Sequence, residues 1–211
     1  MTPGELVWIA ERLGTALLLC AGGMGAAALF GGGRAVRILT GLVLLGAALT
    51  VPAGTSSAFG FLFAVTGPLS AAGLLAILLA IGALAGMSVD LGEAVGRCAP
   101  LVGILGLFLY PAAVGLGPWD PYALGFAGLA LPAILAGVLA AGLAQRSVIV
   151  PVWIGAAALG WLLGLYGSQN LWDYVVDPLA WFAALAVMLA SAANTLRGRV
   201  TASSRAGADD R

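Results

Sequence analysis

Two carboxylates four residues apart, Asp173 and Asp177, stand in the stretch from Leu165 to Trp181, LYGSQNLWDYVVDPLAW, where polar and aromatic residues crowd into an otherwise apolar chain. Paired carboxylates can do general acid and base work when their environments hold one protonated and the other ionised. On a helix, that spacing would put both on one face. Pro178 argues against this: the residue before a proline is pushed out of the helical region, so Asp177 reads as the cap of a helix that Pro178 begins. Ser168, Gln169 and Asn170 add hydrogen-bonding groups that neither capping nor anchoring requires. With Asp173 they are the first candidates for contact with a ligand or partner. Thr66 and Ser70 join them, because they flank Gly67-Pro68, where a proline predicts a break in a long apolar segment. Broken membrane helices expose backbone groups that often line binding cavities.

Other chemistry-bearing residues are scarce. All nine basic residues are arginine, and the chain has neither lysine nor histidine. Without lysine there is no Schiff base to retinal or pyridoxal phosphate. Without histidine, haem, copper and zinc sites and the usual proton shuttle lose their commonest ligand or base. Cys20 and Cys98 have no CxxC spacing and read as packing residues. A phosphate loop with its lysine is absent, and nothing points to nucleic acid. The expectation is therefore no catalytic residue, no metal and no cofactor, with an intramembrane enzyme using Asp173 and Asp177 as the third-ranked function.

The elements that position these residues are set by composition. Hydrophobic residues make up 62% and charged residues 9% of the 211, and mean hydropathy is +1.08, against the roughly 25% charged residues of a soluble domain. This predicts an all-α polytopic membrane bundle. Seven apolar segments are expected at 8–30, 36–52, 58–87, 99–117, 121–143, 149–166 and 177–195, near the ~20 residues needed to cross a bilayer. The count falls to six if the first or second lies in the interface. Residues 3–12, which hold Glu11 and Arg12, are open to that alternative with Trp8 as an anchor. The amino terminus lacks the positive region of a signal peptide and is expected to be retained. Arginine occurs in alternate connections, as Arg34, Arg97, Arg146 and then Arg197, Arg199 and Arg205. Basic residues resist translocation, which places the amino terminus outside and the carboxyl terminus in the cytoplasm of a bacterial cell, in its inner membrane.

Residues 1–196 are expected to form one transmembrane domain, followed by a polar, disordered tail at 197–211. A weak parallel repeat relates 99–146 to 149–197: Leu109-Tyr110 recurs as Leu165-Tyr166, and Trp119-Asp120-Pro121 as Trp172-Asp173 with Asp177-Pro178. Asp120-Pro121 and Asp177-Pro178 read as helix starts, the former opening the fifth segment. Trp172 and Tyr174, with Tyr110, Trp119, Tyr122, Tyr166 and Trp181, read as interfacial anchors. Gly82 with Gly86, Gly160 with Gly164, and Gly137 with Ala141 have the spacing of close helix packing. The function expected first is a non-catalytic subunit or assembly factor of a larger membrane complex, whose partners are the lipid bilayer and other subunits or further copies of the chain. A small-solute transporter, or the substrate-binding membrane component of one, is the alternative.

Overall fold

The computed structural model describes residues 2–50, 66–88, 90–126 and 128–209, and among them it contains eight α-helices, one 3-10 helix and no strand. The α-helices are α1 (Pro3–Leu29), α2 (Arg34–Thr50), α3 (Ala71–Leu84), α4 (Leu91–Ala113), α5 (Ala130–Ala144), α6 (Ile149–Leu162), α7 (Trp172–Val175) and α8 (Pro178–Asp209). The 3-10 helix, Pro121–Gly125, precedes α5. All but the short α7 fall on the apolar segments read from sequence; positions 58–65 of the third segment lie outside the described residues.

Among the described residues three stretches, Gly4–Leu29, Val95–Ala113 and Pro178–Arg199, are long and apolar enough to cross a membrane. α3, α5 and α6 have 14, 15 and 14 residues. At 1.5 Å per residue these reach about 21–22 Å, short of the ~30 Å hydrocarbon core. The shortfall has local causes. Gly67 takes a left-handed φ of +52° beside Pro68, so α3 starts only after Ser70. Asp120-Pro121 opens the five-residue 3-10 helix rather than a long α-helix, which moves the start of the fifth segment to Ala130.

The helix ends repeat one device. Gly86 donates its N–H to Ala83 and Met87 to Gly82, at 3.0 and 2.9 Å, the Schellman pattern that satisfies the last carbonyls around a left-handed residue. Gly31, Gly115 and Gly164 end α1, α4 and α6 in the same way, and Arg146, with a φ of 53°, ends α5. Gly86 and Gly164 are thus turn residues rather than the second halves of packing motifs. A methyl at Gly160 would come within 3.1 Å of Tyr174, and one at Gly137 would meet open space.

α1 begins with a capping box in which Thr2 N–H donates to Glu5 and Glu5 N–H donates to Thr2 Oγ1. It runs unbroken past Arg12, so residues 3–12 form no separate interfacial helix. Arg12 lies over the Trp8 ring at 4.3 Å and donates to the Leu49 carbonyl at the end of α2, at 3.0 Å. α4 and α8 pair antiparallel: Gly103, Gly106 and Tyr110 meet Met188, Trp181 and Val176 in turn. α3 is the hub, touching α1, α2, α4, α6, α7 and α8. The backbone of α8 stays helical to Asp209, through the stretch expected to be a disordered tail. Extending a helix adds a hydrogen bond per residue without a new nucleus.

Candidate functional site

Where α3 and α8 begin, Asp177 caps α8 and holds the cap residue of α3. Its Oδ1 accepts the Ala180 N–H at 2.7 Å, and its Oδ2 accepts the Ser70 N–H at 3.1 Å and hydroxyl at 2.6 Å. The Ser70 Oγ in turn accepts the Gly73 N–H at 3.1 Å, which makes it the N-cap of α3. Two helix starts thus converge on one buried side chain, whose oxygens answer backbone donors that have no partner within their own helices. Gly73 is required by this geometry, because a methyl at that position would fall on Asp177 Oδ2.

A second knot lies next to it. Asp173 accepts the Tyr122 hydroxyl at 2.9 and 3.1 Å and the Ser168 hydroxyl at 2.6 Å. The Ser168 Oγ accepts the Asn170 N–H at 3.0 Å. The Asn170 side chain, fully buried, donates to the Tyr122 carbonyl and accepts the Trp172 N–H, both at 3.0 Å. The 3-10 helix is held to the 168–173 loop through these bonds and through Leu171 N–H to the Gly125 carbonyl, 2.9 Å. A methyl at Gly125 would land on the Asn170 amide.

The aromatic residues have a different role from the one their positions predicted. Irregular backbone leaves carbonyls without helical partners, and here side chains supply the donors. Tyr166 donates to Leu69, Trp172 to Pro121, Tyr174 to Ser168, Trp161 to Gln169, Trp153 to Val175 and Tyr110 to Val176. Trp181 donates to Gly103 inside α4. Trp172 and Tyr174 are each 1% exposed, so they are core residues rather than interfacial anchors; Trp119, 67% exposed, keeps an outward position. A buried indole or phenol needs a hydrogen-bond partner, and buried carbonyls need donors, so the two needs are met together.

Among the sequence candidates, Ser168, Asn170 and Asp173 come together in the second knot, and Ser70 joins Asp177 in the first. Thr66 sits elsewhere, its hydroxyl 2.9 Å from that of the buried Thr15 on α1. Gln169 contributes its carbonyl to Trp161 and is exposed. Asp120 accepts the Ala123 N–H and starts the 3-10 helix at Pro121, while Asp177-Pro178 starts α8 as expected. Both carboxylates of the proposed acid–base pair are engaged by donors from within the chain. Gly73, Gly125, Trp153, Trp161 and Thr15 had not stood out, since their partners lie in other elements and no local spacing marks them.

No family model, curated protein or solved structure matches this chain.

Proposed function

We propose that the chain is a non-catalytic integral membrane protein acting as a subunit or assembly factor of a larger complex in a bacterial cytoplasmic membrane. The carrying observation is that Ser70, Ser168, Asn170, Asp173 and Asp177 spend their hydrogen bonds on one another and on helix ends, as a clamp does. In this reading seven helices cross the bilayer, and the clamped layer completes the crossings of α3, α5 and α6. Non-helical backbone is tolerated at membrane depth where it is buried and its polar groups are satisfied, and the aromatic donors meet that demand. The arginines support a cytoplasmic opposite end: Arg97, near the start of α4, donates to the Gln145 carbonyl at the end of α5, at 2.6 Å. α8 presents Leu179, Phe182, Leu189 and Leu196 outward, a surface for lipid or another subunit.

Crosslinking in native membranes, followed by purification in mild detergent, is expected to recover a defined partner. A monomer with no crosslinked partner overturns the proposal. Gln169, which is exposed, and the half-buried Ser168 keep the transporter reading open. Solute-dependent thermal stabilisation that Gln169→Ala abolishes would move the assignment there.

A further inference from the structure

Away from the clamp, α3 stands off from the α4–α8 pair and leaves a cavity of about 260 Å³. Its walls include Ala76 and Ala80 of α3, Cys98 and Ala99 of α4, and Ala183 and Ala184 of α8. Small-residue faces ordinarily let helices close up, whereas here they line a half-open groove. Water is a poor filler, since it needs two to four polar partners. The polar groups on this wall are the Cys98 thiol and the Trp153 indole, whose N–H is already given to Val175. An apolar chain fits such a wall.

A second opening, about 510 Å³, shares Val95, Ala99 and Val187 with the first and follows the α4–α8 seam to Ser191, Thr195 and Arg199. Arg199 ends the apolar stretch Pro178–Arg199, so its guanidinium stands where α8 would leave the hydrocarbon. From Val187 to Arg199 the helix rises about 18 Å at 1.5 Å per residue, roughly half the ~30 Å core. An amphiphile with its head at Arg199 would therefore end its chain beside Val187 and Ala184. The Thr195 hydroxyl is donated to the Ser191 carbonyl, 2.9 Å, which leaves the Ser191 hydroxyl and the Arg199 guanidinium as donors for an anionic oxygen.

We propose that this seam binds an anionic phospholipid, with one acyl chain in the alanine-walled cavity and the phosphate at Arg199 and Ser191. The site rests on α8 crossing a bilayer. Alkylation of Cys98 by N-ethylmaleimide, read by peptide mass spectrometry on the full chain in detergent, tests it. Cys20, 5% exposed and packed on Met24, serves as the internal control. Added phosphatidylglycerol is expected to slow Cys98 alkylation several-fold, phosphatidylcholine at the same mole fraction much less, and Arg199→Gln to erase the difference. Ala184→Phe should fill the cavity and abolish retention of phosphatidylglycerol in native mass spectrometry. An identical Cys98 rate with either lipid or none overturns the site. So do equal protection by both lipids, which removes headgroup selection, and protection that grows with protein concentration without lipid, which makes a second copy the occupant. If Ala184→Phe does not fold, the unmodified chain still decides. Carbonate washing of native membranes separates the two levels: release of the chain overturns the membrane reading, whereas retention with a lipid-insensitive Cys98 overturns the lipid site alone.

Discussion

At the end where α3 and α8 begin, Asp177 accepts hydrogen bonds from both helices and Asn170 joins two further elements; further along the same helices, Ala80 and Ala184 line a void of about 260 Å³. One end is held by directional bonds among buried polar groups, which tolerate almost no displacement. The other is held by helix packing and by the Arg97–Gln145 hydrogen bond, and it has room for a guest. If the short helices cross a bilayer as proposed, the two ends divide the work: the clamp would fix their positions, and the looser end would be the one to meet lipid or a partner.

The strongest way to break this contrast is Asp177→Ala. It leaves the Ser70 and Ala180 donors at two helix starts unanswered, and a loss of about 3 kcal/mol is expected, given the cost of unsatisfied buried donors and of a lost N-cap. Thermal or denaturant unfolding in detergent measures it, and a change within error would mean that Asp177 is not the joint. Gly125→Ala adds one carbon at the clamped end, where it would meet the Asn170 amide; a cost of roughly 2 kcal/mol is expected from overpacking. Arg146→Gly works in the opposite direction. Arg146 holds a φ of 53° at the end of α5, and relief of that left-handed strain should stabilise by about 1 kcal/mol, with the unfolding midpoint moving up. The smallest effect is expected at the open end: Ala184→Leu adds three carbons beside the cavity and should shift stability by less than ~1 kcal/mol, because there is space to receive them. If it costs as much as Gly125→Ala, the two ends are packed alike.

Helix positions were legible in the sequence because they depend on neighbours along the chain. Hydropathy located the helices, Gly67-Pro68 marked the break before α3, and Asp177-Pro178 marked the start of α8. Helix length was less legible, because a hydropathy run does not record where irregular apolar backbone replaces a helical turn. The fifth segment was read as starting at Pro121, but its α-helix begins at Ala130. The aromatic residues were misplaced for a related reason: Trp172 and Tyr174 have the composition of interfacial anchors, and only packing shows that they are buried donors.

For the stretch from Leu165 to Trp181, then, the sequence alone determined that it interrupts an apolar run, that Pro178 opens a helix and that Asp177 caps it, since each follows from local backbone sterics and capping chemistry. Tertiary structure decided what its polar groups are for. Ser70 and Asp177 are 107 residues apart, Tyr166 and Leu69 97, and Tyr122 and Asp173 51. Such partners are chosen by how the helices pack, because a buried donor or acceptor is stable only where another element brings its complement within reach.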